Sequence, residues 1–330
     1  MNRLLVCLTL SAVFLFSVCE KNSDANDRLK GKIRIDGSST VFPITEAVAE
    51  EFQKLNRRVR VTVGISGTGG GFKKFGAGEI DINDASRSIK QSEIQKAEQN
   101  GIEFIELPIA YDGLSVVVNR DNDFVDHLTV TELRKIWQPG STVMNWSDIR
   151  PEWPKKSIHL YGPGTDSGTF DYFTKVINGK SQASRPDFTA SEDDNVLVMG
   201  VAGDENSLGF FGYAYYWENR SKLKLVPVDG GQGPIAPSGK TINDGTYKPL
   251  SRPIFIYVNK TGSKRPEVQE FVRFYIKNAP LFSKEVGYVP LPNKEYQAVL
   301  ERFEKWLSGS LLSEKSRPGA KIKKVLFKGN

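Results

Sequence analysis

The amino-acid sequence predicts an α/β protein built as two lobes. Three observations carry that prediction. The chain has 330 residues, enough for more than one core of ordinary size. From Ile33 onward, short apolar runs alternate with stretches of helical periodicity. At three separate places a strand-like run breaks into glycine, serine and threonine just before a helix.

The first residues stand apart. Arg3 is followed by an apolar run from Leu4 to Val18 and then Cys19, which reads as an export signal over residues 1–18 rather than a membrane span. Cys19 directly after that run marks a candidate lipidation site, although Phe16-Ser17-Val18 matches the usual cleavage pattern only loosely. Residues 19–32 are polar and charged and read as a tether. With Cys7 and Cys19 the only cysteines, the mature chain has no internal disulfide, zinc ribbon or redox pair. His127 and His159 lie too far apart in sequence to form a metal site by themselves, so neither metal nor cofactor is expected.

The formal charge is +6. Residues 314–330 carry Lys315, Arg317, Lys321, Lys323, Lys324 and Lys328 against Glu314, and Arg3 lies in the signal, so the body of the chain is formally neutral. That argues against a nucleic-acid surface. The basic segment 313–330 is expected to be a disordered tail that binding does not need.

Ile33 and Ile35 lead into Asp36-Gly37-Ser38-Ser39-Thr40-Val41-Phe42-Pro43, and a helix from about Pro43 to Leu55 follows, with Ile44, Val48, Phe52 and Leu55 on one face. Proline at the first helical position and hydroxyls just before it suit both a helix cap and an anion seat. Val59, Val61 and Val63 alternate as a strand. Next, Ser66-Gly67-Thr68-Gly69-Gly70-Gly71-Phe72-Lys73 reads as a glycine loop running into a short helix, whose bare backbone lets N–H groups converge on a ligand. It lacks the spacing of a P-loop. Glu79 to Asn83 is a short strand ending in Asp84-Ala85-Ser86-Arg87-Ser88, where a planar guanidinium could hold two oxygens of a tetrahedral anion.

Gln91 to Gln99 is predicted helical, and Phe104 to Ala110 and Leu114 to Asn119 are two strands buried on both faces. Thr129 and Glu132 form a capping box for a helix through Trp137. The third junction is Gly162-Pro163-Gly164-Thr165-Asp166-Ser167-Gly168-Thr169-Phe170, after a strand from Ser157. Ser191 to Asp194 caps a helix over Val196 to Val201. Leu208 to Phe211 and Leu223 to Val228 are strands, and the aromatic run Tyr213 to Trp217 packs under a loop. Pro253 to Asn259 returns as a strand, and three helices close the chain near 267–277, 281–286 and 294–307.

The three junctions supply neutral donors from Ser39, Thr40, Ser66, Ser167 and Thr169 and one cation, Arg87, a set suited to a small dehydrated oxyanion. Across nearly the whole chain, the motifs Gly37-Ser38-Ser39-Thr40, Gly67-Thr68-Gly69-Gly70-Gly71-Phe72-Lys73, Asp84-Ala85-Ser86-Arg87 and Thr165-Asp166-Ser167-Gly168-Thr169-Phe170 resemble the phosphate-binding subunits of bacterial ABC transporters. The resemblance implies a type II periplasmic-binding-protein fold, with lobe I over 33–118 and 252–312 and lobe II over 119–251. It also implies an exported monomer that captures inorganic phosphate and meets membrane permease and ATPase subunits. The binding residues would be Ser39, Thr40, Ser66, Gly70, Ser86, Arg87, Ser167, Gly168 and Thr169. Longer relatives place an aspartate where Arg87 stands and an arginine just before the Ser167-Gly168-Thr169 triplet. Arg87 therefore stands in for that cation, and the proton acceptor falls to Asp84 or Asp166. Three other functions compete. A nucleotide held by the glycine loops is supported by no acidic ribose partner and no P-loop pattern; two remain. One is capture of another oxyanion such as sulfate or molybdate, and the other is a secreted serine-type phosphatase or esterase using Ser167 and His159, against which the missing nucleophile elbow argues.

Overall fold

A computed structural model describes residues 29–311 and Leu326. In chain order the elements are β1 (Gly31–Gly37), α1 (Phe42–Leu55), β2 (Val59–Val63), α2 (Gly67–Gly76), β3 (Ile82–Ala85), α3 (Gln91–Gln99) and β4 (Phe104–Asn119). There follow β5 (Leu128–Thr129), α4 (Val130–Trp137), β6 (His159–Pro163), α5 (Gly168–Ile177), β7 (Thr189–Ser191), α6 (Asp194–Ala202), β8 (Ser207–Gly212) and α7 (Tyr213–Glu218). The chain finishes with β9 (Leu223–Val226), β10 (Val228–Asp229), β11 (Pro234–Ile235), α8 (Gly239–Asp244), β12 (Ser251–Asn259), α9 (Pro266–Glu285), β13 (Val289–Pro290) and α10 (Asn293–Glu304).

One long strand, β4, spans the two halves, and the chain returns beside it through β12. The main sheet runs β2-β1-β3-β12-β4-β8-β6-β7, with β13 and β9 also on β4. Residues 104–113 of β4 pair antiparallel with β12, and residues 114–118 pair with β8. Two cores hang on this spine. Ile33, Val48, Phe52, Ile256 and Phe271 belong to the core of lobe I, whereas Val116, Trp137, Leu160, Phe173 and Phe210 belong to that of lobe II. The signal, most of the tether and the basic tail lie outside the described residues, apart from Leu326, which is half-buried against the lobe I core.

Several elements differ from the sequence expectation. The two predicted strands around Tyr111 are one, because Asp112 does not break the run: it lies directly opposite Arg252 in the β4–β12 register and is neutralised there. The first two closing helices are likewise one, α9, which continues through Pro280 because Ile276, Ala279 and Phe282 keep its apolar face buried. Tyr213 to Trp217 forms helix α7 rather than packing under a loop.

The glycine stretch after Ser66 is helix α2, not a loop. Glycine costs a helix about 1 kcal/mol relative to alanine, so its use needs a steric reason. At Gly71 a Cβ would stand 1.9 Å from the Asn83 side-chain amide and 2.7 Å from Gly37 Cα. The bare face of α2 thus lets the helix lie directly on the ends of β1 and β3. Gly71→Ala is expected to lower stability by about 1–3 kcal/mol through overpacking, more than the propensity it gains. Urea denaturation would check this, and an unchanged midpoint would refute it.

Candidate functional site

At the end of β1, Gly37 adopts φ +136°, and a Cβ there would lie 2.2 Å from the Asp84 carbonyl oxygen, so only glycine lets the chain turn away from β3. Neither first junction hydroxyl caps the helix that follows. The N-cap of α1 is Val41, which makes no side-chain cap bond. Ser39 is held through its carbonyl, which accepts from Tyr215 Oη at 2.8 Å, and Tyr288 Oη donates to the Thr40 carbonyl. The Thr40 hydroxyl instead lies 3.0 Å from the Thr169 hydroxyl of the other lobe. The cap expectation fails at α1, and the hydroxyl is turned into the cleft.

Ser66 also leaves its helix uncapped. Its Oγ donates to Asp36 at 2.7 Å and its amide donates to the same carboxylate at 3.0 Å. Burial works against a charge on Asp36, but Lys74, Ser66 and the Gly37 amide outweigh it and hold the carboxyl below its usual range.

In the second lobe, Ser167 caps α5 by accepting from the Thr169 amide at 3.1 Å. Gly168 packs so closely that a Cβ would lie 2.5 Å from Ser86 Oγ, 2.6 Å from Thr68 Oγ1 and 3.1 Å from Arg87 Cγ. At the rim, the Gly69 amide donates to the Asp166 carbonyl at 2.6 Å, and Lys73 Nζ is 2.9 Å from both carboxylate oxygens of Asp166. Gly70 faces Ser66 across 3.0 Å, measured from its ideal Cβ position. Thr40, Thr68, Ser86, Arg87, Gly168 and Thr169 are thereby brought together between the lobes, with Ser66, Gly70 and Ser167 beside them. A groove of ≈650 Å³ beside α1, lined by Phe42, Glu46, Tyr215 and Glu218, contains none of these groups.

Arg87 is paired with carboxylates of the protein. Its Nε donates to Asp171 at 2.7 Å, and its two terminal nitrogens hold Glu93 at 2.8 and 2.7 Å. Burial opposes the charge on Arg87, but Glu93 and Asp171 win and push its pKa up. Asp171 also accepts from Lys90 and Ser181. The guanidinium expected to be the anion's counter-ion is thus matched by protein carboxylates, and its bond to Asp171 ties lobe I to α5.

A second arginine, not singled out from the sequence, occupies the floor. Arg252 is 2% exposed; its Nη2 donates to Thr169 Oγ1 at 2.7 Å and reaches Thr40 Oγ1 at 3.5 Å, and its Nη1 donates to the Gly168 carbonyl at 3.1 Å. Asp112 accepts from its Nε and Nη2 at 3.2 and 3.0 Å. The signal was present: Asp112 and Arg252 are opposite charges in two runs otherwise apolar enough to be buried strands.

The two acceptor candidates differ in depth. Asp166 is engaged by Lys73 at the rim. Asp84 is fully buried beside Thr45, and neither of its oxygens reaches full hydrogen-bond geometry with a partner among the described residues; burial raises its pKa well above the usual range, against the pull of the Thr45 hydroxyl. A third carboxyl, Asp194, is fully buried near Gly212 and Thr40, and neither oxygen reaches full hydrogen-bond geometry with a partner among the described residues. Burial pushes it up to about 7 although Arg252 and the Gly212 amide favour its charge, and burial likewise lifts Asp112 to about 6 against the pull of Arg252.

Between the ordinary carboxylate range and pH about 7, native Asp194 keeps a proton that the unfolded chain has released, so its stabilising contribution is lost as pH rises through that window. Asp194→Asn is expected to flatten the fall in melting temperature between about pH 4 and about pH 7, and to raise the melting temperature at about pH 8 relative to the native chain. Identical pH profiles for the two proteins would contradict it.

A family profile described as "PBP superfamily domain" matches residues 22–279. Protein SphX of Synechococcus elongatus is 46% identical over 99% of this chain and 96% of its own length. The phosphate-binding protein PstS of Staphylococcus saprophyticus is 40% identical over 87% of this chain and 89% of its own. Among solved structures, a possible phosphate binding protein from Planctomyces limnophilus is 48% identical with a TM-score of 0.63, covering 84% of this chain and 99% of that one.

Proposed function

Because the chain belongs to the PBP superfamily and, within it, to the family of SphX and the phosphate-binding protein PstS, we propose that it binds inorganic phosphate between its lobes and delivers it to an ABC permease. The observation that carries the reading is the meeting of Thr40 and Thr169, one hydroxyl from each lobe, 3.0 Å apart. An anion seated there draws donors from both halves and holds them closed. The proposed ligand set is Ser39, Thr40, Ser66, Gly70, Ser86, Arg87, Ser167, Gly168 and Thr169, with lobe boundaries near 119 and 252. The hydroxyls and the α5 N-terminus offer many neutral donors, which suits an anion stripped of water. Asp84 and Asp166 remain the proposed acceptors for the proton that phosphate carries and sulfate lacks.

Export through residues 1–18 and acylation at Cys19 complete the proposal, with permease and ATPase subunits as partners and a monomer as the working state. Among the described residues no helix is long and apolar enough to cross a membrane. A hydrolase reading has little support. The Ser167 hydroxyl accepts from two α5 amides, and His159 pairs with Asp204 at 2.6 Å.

Calorimetric titration with phosphate and with sulfate at two pH values tests the function directly. Saturable phosphate binding with weak sulfate competition is expected, and no phosphate binding would overturn the reading. A micromolar affinity corresponds to about −8 kcal/mol, and one hydrogen bond to a charged ligand contributes about 1.5–3 kcal/mol. Thr169→Val should therefore weaken phosphate binding about ten- to a hundredfold. Arg87→Ala should weaken it as well, and an unchanged affinity would remove Arg87 from the set.

A further inference from the structure

Arg252 has a position no other described cation shares. It stands on β12, one of the two strands that run between the lobes, opposite Asp112 on the other, β4. Its guanidinium touches the Thr169 hydroxyl and the Gly168 carbonyl in lobe II and reaches the Thr40 hydroxyl of lobe I. Tyr172 of α5 packs against its face at 5.5 Å from ring centroid to Cζ, and Tyr172 Oη donates to the Ser251 carbonyl at 2.7 Å, so α5 is also tied to the strand that carries the arginine. The side chain is 1% exposed and Asp112 is completely buried, so the fork is held in one orientation.

We propose that Arg252 is the positioning residue of lobe closure: anchored to the crossover by Asp112, it holds Thr40 and Thr169 in register so that the two lobes present their hydroxyls to the anion as one site. The proposal rests on the reading that an oxyanion binds between those threonines. A planar fork is needed because three partners in different directions, Asp112, Thr169 and the Gly168 carbonyl, are met at once. A lysine ammonium carries the same charge but has a single donor atom on a flexible stem. When the lobes part, Thr40 and Thr169 separate while Arg252 and Asp112 stay paired on the crossing strands, leaving the fork set to receive α5 again. Closure is then a choice between two discrete packings.

The role separates from charge and from structure by kinetics. Arg252→Lys keeps the charge and loses the fork; association of phosphate should change by less than about twofold, whereas release of bound radiolabelled phosphate should quicken about tenfold or more, because loss of the closed state acts on dissociation. Small-angle scattering should show phosphate compacting the native protein and compacting the variant less. Asp112→Asn, which keeps the guanidinium and both threonines but loosens the anchor, should shift release in the same direction. Failure of the native chain to bind phosphate would refute the functional reading rather than this role. If the native chain binds and compacts, unchanged release in Arg252→Lys overturns the proposal, as does an equal loss in association and release. Should Arg252→Lys fail to fold, Asp112→Asn with native release kinetics overturns it alone.

Discussion

The buried pair of Arg252 and Asp112 is the constraint on which the arrangement of the cleft depends. Both charges stand on the strands that cross between the lobes, in direct register and away from water. Removing one member of such a pair costs about 3–5 kcal/mol, because the other is left uncompensated in a medium that solvates it badly. A crossover of apolar residues alone would hold the sheet together equally well. What the ion pair adds is direction: it fixes a fork of donors beneath the place where Thr40, just before α1, meets Thr169 of α5.

Glycine does the complementary work above that floor. Gly37 lets β1 leave β3, Gly71 lets α2 lie on both strand ends, and Gly168 brings the start of α5 against Ser86, Thr68 and Arg87. Each position sacrifices helix or strand propensity for a close approach of backbone. The gain is geometric, since three chain segments converge within hydrogen-bond reach of one another without long side chains between them. The same closeness explains why the rim can be sealed by a backbone bond, Gly69 amide to Asp166 carbonyl, with Lys73 on the Asp166 carboxylate.

Much of this was legible in the sequence because it rests on local chemistry. The alternation of strands and helices, the capping box at Thr129 and the cap of α6 within Ser191 to Asp194 are short-range patterns and are found where they were read. Three junctions of small polar residues were visible as such, and their grouping in space follows from the β1–β3 and β6–β8 ladders. What was not legible is long-range pairing. The run from Phe104 to Asn119 read as two strands because the partner that buries the charge of Asp112 lies 140 residues away. The carboxylate partners of Arg87 were not legible either, because Glu93 belongs to a helix nearby and Asp171 to the other lobe. Helix α9 read as two because the buried face that carries it past Pro280 is decided by tertiary packing.

The charge balance of the closed cleft bears on how an anion is held. Arg87 faces Glu93 and Asp171, Arg252 faces Asp112 with Asp194 close by, Lys74 faces Asp36 and Lys73 faces Asp166. Each of these cations has a carboxylate of its own, so an entering anion meets no surplus positive field. Attraction must come from oriented dipoles: hydroxyls, amides at helix starts, and the outward sides of guanidinium groups whose inner sides are already committed. Dipoles of this kind act over short range and in fixed directions, so they discriminate by shape and by the position of hydrogens more than by net charge. A cleft balanced in this way gains little from long-range steering and is correspondingly insensitive to salt at a distance. Its selectivity therefore depends on how exactingly the lobes are brought into register, which returns the burden to the crossover strands and the ion pair between them.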